Sequence, residues 1–160
     1  MPMKPFYQQS QSKPVTEQEA YLKLSTLCAQ AEHCSSEMTD KMTRWQVPEE
    51  QQARVMQRLV SEKFIDDARY CGFFIRDKIR YNKWGRRKIE QALRMKRIDS
   101  SVYGPQLAEV DDAMYVEMLR PLLAAKRKTL KAKSDYELNC KLIRFAMGRG
   151  FDMDIIEQCL

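Results

Sequence analysis

Histidine and glycine are the scarce residues of this 160-residue chain, with one His and five Gly. A single imidazole, His33, excludes any multi-histidine metal site, and the nearby thiols of Cys28 and Cys34 come with no fourth ligand at zinc spacing. So little glycine leaves no phosphate-cradling loop: the Gly-x-Gly-x-x-Gly, Walker and Gly-x-Ser-x-Gly patterns are all missing. No cofactor is expected. The five cysteines (Cys28, Cys34, Cys71, Cys140, Cys159) are an odd number at irregular spacings without Cys-x-x-Cys. That usage suits a cytoplasmic, reduced protein whose thiols act as small apolar residues. No apolar run approaches the ~18 residues of a membrane span, and residues 1–10 lack the apolar core of an export signal. A mean hydropathy of -0.60 with 44% hydrophobic residues fits neither a membrane protein nor a disordered tail. These exclusions favour a binding protein over an enzyme.

What the chain does have is helix-forming material. Leu, Met, Lys, Arg, Gln and Glu dominate, and apolar residues recur at helical spacing, as in Val55, Met56, Leu59 and Val60 or Ile89, Ala92 and Leu93. No run alternates β-branched residues, so no sheet is predicted. Thr16 with Glu19 and Ser134 with Glu137 make capping boxes, and Asp66 and Asp152 are further N-cap candidates. Pro48 suits a first helical turn, and Gly148 and Gly150 suit a helix end. The pattern predicts nine helices, over 16–32, 36–46, 48–62, 66–82, 86–97, 100–109, 111–131, 135–147 and 152–160, with Pro121 kinking or splitting the seventh. Residues 1–15 carry Pro2, Pro5 and Pro14 among polar residues and read as a flexible arm.

Nine helices invite a search for a repeat. Asp66-Asp67-Ala68-Arg69-Tyr70 is echoed by Asp111-Asp112-Ala113-Met114-Tyr115 and, weakly, by Gln18-Glu19-Ala20-Tyr21. A second anchor is an apolar pair four residues apart: Met38/Met42, Ile89/Leu93 and Leu138/Leu142. Both anchors divide the chain into three units, 16–65, 66–110 and 111–160. The expected fold is all-α, an elongated, curved array of three tandem three-helix repeats, because modules of this size must stack to bury a core. The competing expectation is one compact nine-helix globule.

The charge is unevenly placed. Residues 1–65 carry eight basic and eight acidic side chains, whereas 69–97 carry eleven basic and two acidic. Residues 98–119 hold five acids and no Lys or Arg, and 120–149 hold nine basic and two acidic side chains. At about 100° per residue, Arg69, Arg76, Arg80 and Lys83 share a helix face, with Phe73 at its edge. Ala68, Cys71, Phe74, Ile75 and Ile79 fall opposite, where core is expected. Arg87, Arg94 and Arg97 continue the basic face on the next helix. An arginine face edged by an aromatic ring suits phosphate or carboxylate contacts with stacking. Trp84 has two readings, a filler between helices with Gly85 allowing a close turn, or an exposed stacking surface beside Arg86 and Arg87. The second block, with Lys126, Arg127, Lys128 and Lys131, carries no aromatic residue and also reads as a solvated helix end.

Phe64-Ile-Asp-Asp-Ala-Arg-Tyr70, followed by Lys83-Trp-Gly-Arg-Arg-Lys-Ile89 and Leu93, resembles the signature of the RecX regulatory proteins. Arg149-Gly-Phe-Asp-Met-Asp-Ile155 resembles the segment that opens that family's last helix, and Ser35, Ser36, Glu37 and Met38 loosely match its Ser-x-x-Glu-Leu stretch. The resemblance covers about residues 16–160. It implies three tandem three-helix modules and a bacterial, cytoplasmic regulator of the recombinase RecA. Such a regulator lies in the groove of the RecA–DNA filament and mostly inhibits it, in DNA recombination, repair and the SOS response. On this resemblance the contact roles fall to Arg69, Arg76, Arg80, Lys83, Arg86, Arg87, Lys88, Arg94 and Arg97. The reading of the residues themselves adds Phe73 and Trp84, with Lys126, Arg127 and Lys131 from the second block, as RecA- or DNA-contacting candidates. Two departures stand out: Gln30, Ala31 and His33 lie where relatives tend to carry arginines, and Lys83 where glycine is common.

The leading expectation is therefore a monomeric interaction protein that modulates the RecA filament, with weak, salt-dependent affinity for single- or double-stranded DNA and none for membranes. The alternative is an autonomous nucleic-acid-binding helical-repeat protein using the same arginines; a helical scaffold for another protein is a third.

Overall fold

The computed structural model describes residues 13–160, and among them every regular element is a helix. There are nine: α1 (Glu17–Gln30), α2 (Ser35–Arg44), α3 (Glu49–Ser61), α4 (Asp67–Arg80), α5 (Arg86–Met95), α6 (Ser100–Ala108), α7 (Asp112–Thr129), α8 (Asp135–Gly148) and α9 (Met153–Cys159). The all-α class expected from composition is the observed one. The arm expected over 1–15 lies outside the described residues except for its last three.

Local chemistry starts most of these helices where expected. The Thr16 hydroxyl accepts from the Glu19 N–H at 3.2 Å, Asp66 from the Arg69 N–H at 3.0 Å and Ser134 from the Glu137 N–H at 3.2 Å. Each satisfies one of the orphan amides of a first turn. Asp99 and Asp111 do the same for α6 and α7. Pro48 is the N-cap of α3 and not its first residue. Pro121 neither ends nor splits α7, which runs unbroken from Asp112 to Thr129. Pro121 and Glu117, whose carbonyl loses its partner, are both exposed, so solvent serves the orphaned acceptor.

Four helix ends close in one way. After α2, α3, α5 and α8, an N–H returns to the carbonyl five residues back: Val47 to Met42 (3.0 Å), Phe64 to Leu59 (2.9 Å), Ile98 to Leu93 (3.3 Å) and Phe151 to Ala146 (3.2 Å). The preceding residue is left-handed each time, with φ of 60° at Gln46, 63° at Lys63, 57° at Arg97 and 90° at Gly150. Only one of the four is glycine, although a side chain there costs about 1 kcal/mol. The apolar residues that the turn brings together outweigh that cost: Met42, Val47, Leu59, Leu93, Ile98, Ala146 and Phe151 are all buried.

These turns correct the register of the repeat. Met42, Leu93 and Ala146 occupy the same position before the second-to-third helix turn, so the buried pair of the third module is Leu142/Ala146, one turn beyond the expected Leu138/Leu142. Leu138 is only half-buried. Likewise Ala20, four residues past its N-cap, matches Tyr70 and Tyr115; Tyr21 is one residue out of register. Tyr21 is half-buried, donates its hydroxyl to Glu62 and lies under the Arg58 guanidinium, 3.5 Å from its centroid.

The described residues form two compact units, divided between Ile65 and Asp66. In the first, α1 and α2 pack on α3 around Ala20, Leu24, Met38, Met42, Val55 and Leu59. In the second, α4, α5 and α6 pack together, as do α7, α8 and α9, and α4 also meets α7. A backbone strap joins the two helix triplets. The Gly85 N–H donates to the Arg149 carbonyl at 2.8 Å and the Arg87 N–H to the Gly150 carbonyl at 3.0 Å. A Cβ on Gly85 would collide with the backbone of Gly150 and Phe151, and one on Gly150 with Lys88. The close turn expected at Gly85 is thus an approach between two modules.

Candidate interaction surface

α4 is the element that sorts the arginines. Tyr70, Cys71, Ile75 and Ile79 are buried along it, whereas Arg76 and Arg80 are exposed one turn apart. Phe74 is half-buried, and Ala68, expected in the core, is exposed because it lies in the first turn ahead of the packed stretch. The Arg76 guanidinium lies 5.0 Å from the centroid of Phe73, itself 43% exposed, and Arg80 lies 5.8 Å from that of Tyr81. Among the described residues neither arginine forms an ion pair.

Lys83 does not extend this stripe as a helical residue. α4 ends at Arg80, Lys83 has φ 56°, and its Nζ donates to the Arg80 carbonyl at 2.6 Å. Glycine adopts such a left-handed backbone without steric cost. Arg69 is half-buried in the first turn of α4. Trp84 is half-buried with an ammonium group on either hand, Lys78 at 4.9 Å and Lys88 at 4.8 Å from its ring centroid.

Several other cations are paired within the molecule. Arg86 grips Asp152 with both arms, Nε to Oδ2 at 3.0 Å and Nη2 to Oδ1 at 3.1 Å, while its Nη1 reaches Glu90 at 3.2 Å. Arg87 adds Nε to Asp152 Oδ1 at 2.7 Å. Burial pushes the Asp152 carboxyl up, but the Arg86 and Arg87 hydrogen bonds and charges prevail and hold it below the ordinary carboxylate value. The hydrogen bond to Asp152 raises Arg86 correspondingly. Asp152 therefore makes no side-chain cap bond to α9; as the N-cap residue it is diverted to the arginines. Tyr115, beside this cluster, is buried, and burial pushes its phenol up to about 12.

Arg94 donates Nη2 to Glu90 at 2.8 Å and Nε to the Tyr103 hydroxyl at 3.1 Å. Arg97 is exposed at a left-handed turn position, so its backbone conformation serves the α5–α6 connection. In the second block, Lys126 lies 5.1 Å from the Phe145 centroid, and Arg127 and Lys131 are exposed. Hence the structure brings Phe73, Arg76 and Arg80 onto one open face and sets Arg86, Arg87 and Arg94 in internal pairs.

Beside the open face runs a groove of 610 Å³ between α4, α6 and α7. Ile75, Ile79, Val110, Met114 and Met118 are its apolar lining, Arg76 and Arg80 line it from α4, and Glu109 and Asp111 line it from the α6–α7 connection. Sequence reasoning did not identify Met114 or Met118. The available signal was Met114 itself, which stands in the echoed motif where the second module has Arg69.

Comparison with known proteins gives a consistent family. The model described as "RecX, second three-helix domain" matches residues 66–103, and "RecX, third three-helix domain" matches 113–160; together they span more than half of the chain. The chain is 28% identical over 134 residues to regulatory protein RecX of Acinetobacter baylyi, covering 84% of this chain and 81% of that protein. It is 27% identical over 154 residues to that of Vibrio campbellii, covering 96% of each. The Oceanobacillus iheyensis protein is 25% identical over 124 residues, which are 78% of this chain but 46% of the longer relative. Crystal structures of regulatory protein RecX and of RecX from Lactobacillus salivarius superpose with TM-scores of 0.83 and 0.80. They cover 89% of this chain in each case, and 72% and 93% of those chains, at 20% and 21% identity, which speaks for the fold. No helix among the described residues is long and apolar enough to cross a membrane. On the two matched domains, the chain belongs to the RecX family of regulatory proteins.

Proposed function

We propose that this chain regulates the recombinase RecA in the cytoplasm, binding the groove of the RecA–DNA filament and limiting its activity in recombination and repair. The same reading divides the chain into modules at 65/66 and 110/111. The observation that carries it is the Phe73–Arg76–Arg80 face, exposed and without internal ion pairs in a chain whose other second-module arginines are largely paired off. Cations stacked i, i+4 repel one another by a few tenths of a kcal/mol, and an anionic partner relieves that repulsion. Binding through several such contacts spread over the chain bridges neighbouring filament subunits and weakens with salt.

The test is the DNA-dependent ATPase of purified RecA, titrated with the full chain at several salt concentrations. The unaltered chain is expected to inhibit, and Arg76→Glu with Arg80→Glu to abolish inhibition while helix content stays intact by circular dichroism. Full inhibition by that folded double variant removes this face from the mechanism. The second reading, autonomous nucleic-acid binding, rests on the exposed cations Arg127 and Lys131 with half-buried Lys126 in the second block. Tight, filament-independent binding to DNA that by itself accounts for inhibition favours it.

A further inference from the structure

We propose that the groove between α4, α6 and α7 receives a short protein segment, apolar with flanking carboxylates, carried by the recombinase. This inference rests on the regulatory reading above and names the chemistry that the Arg76–Arg80 face recognises. The groove holds 610 Å³, within the range of roughly 300–1,000 Å³ that accommodates a few side chains. Its floor is apolar, and Met114 is 46% exposed, an uncovered thioether beside the half-buried Met118. Methionine surfaces repack around an incoming apolar side chain at little cost, because the thioether is unbranched and polarizable.

The charges around that floor select the occupant. Arg76 and Arg80 line the groove from α4 with no ion-pair partner among the described residues. Their planar donors match carboxylates in bidentate geometry. Glu109 and Asp111 line it from the α6–α7 connection, both exposed, so the groove's lining holds two cations from α4 and two anions from that connection. A nucleic-acid backbone presents a phosphate at every nucleotide and is repelled by those carboxylates. A peptide with its carboxylates beside the arginines, its apolar side chains on Met114 and an uncharged end towards Glu109 satisfies all three regions.

The test uses the full chain, fluorescently labelled and titrated with filaments assembled from purified RecA on oligo(dT) with a slowly hydrolysed ATP analogue. The same titration is run with oligo(dT) alone. Met114→Gln removes apolar contact and leaves every charge in place. It is expected to weaken filament binding about fivefold, what half-burying a methionine contributes, and to leave oligo(dT) binding within about twofold of the unaltered chain. Arg76→Gln with Arg80→Gln is expected to weaken filament binding by about tenfold or more. A photo-crosslinking amino acid at position 73 or 114, both exposed, is expected to capture a RecA segment rich in apolar and acidic residues. Filament binding unchanged by Met114→Gln, or capture of oligo(dT) in place of protein, overturns the inference and leaves the regulatory reading standing. Failure of the unaltered chain to bind filaments overturns both.

Discussion

The contact that should matter most to the second unit is the clamp on Asp152. Asp152→Ala removes the two-armed contact from Arg86 at 3.0 and 3.1 Å and the single contact from Arg87 at 2.7 Å. A hydrogen bond to a charged group is worth about 1.5–3 kcal/mol when shielded. Arg87 is 63% exposed, so its share falls to about 0.5 kcal/mol, as for a surface pair. Arg86 is 41% exposed and shares its charge with Glu90, which brings the bidentate pair to about 1.5 kcal/mol. The expected loss is therefore about 2 kcal/mol, or about 1 M in urea midpoint for a chain of this size. Trp84 emission reports the second unit, and Trp45→Phe in the background removes the tryptophan of the first. The folded Asp152 carboxyl titrates below its unfolded value, so its stabilisation is complete above about pH 5 and is lost as pH falls through the folded value. The gap between the parent and Asp152→Asn should hold steady at neutral pH and narrow in acid. A loss under about 0.5 kcal/mol in Asp152→Ala, below the share assigned to Arg87 alone, or a gap that persists unchanged in strong acid, refutes the assignment.

Two further outcomes concern the backbone. Gly85→Ala drives a methyl group into the Gly150 and Phe151 backbone and should cost about 3 kcal/mol, the upper end for overpacking, in the same urea assay. A loss under about 1 kcal/mol would mean that the two helix triplets separate easily. Gln46→Gly should gain about 0.5–1 kcal/mol, because Gln46 is exposed with φ 60° and glycine adopts that region without steric cost. Loss of stability, followed by Trp45 emission in a Trp84→Phe background, would show that the Gln46 side chain contributes more than its backbone strain costs.

Nine helices were legible because their signals are local. A cap such as Thr16, Asp66 or Ser134 acts on amides two or three residues away, and the apolar spacing of α2, α3 and α5 marks their buried faces. The repeat was legible in outline, yet its register slipped at Tyr21 and at Leu138/Leu142. Similar residues sit one position or one turn from the true equivalents; the N-caps Thr16, Asp66 and Asp111 align the first helices, and the turns at Gln46, Arg97 and Gly150 align the second. Those turns are hard to find in sequence when glycine, the usual marker of a left-handed position, is replaced by Gln, Lys or Arg.

Composition and spacing by themselves determined the helical class, the basic second module and the face of α4 that holds Arg76 and Arg80. Only tertiary structure decided which cations are paired within the fold. Arg76 and Arg86 look alike along the chain, but Asp152 lies 66 residues beyond Arg86 and meets it because Gly85 and Gly150 let two backbones touch. Helical phase is a property of neighbouring residues, whereas pairing of a charge depends on what the fold carries to within about 3 Å of it.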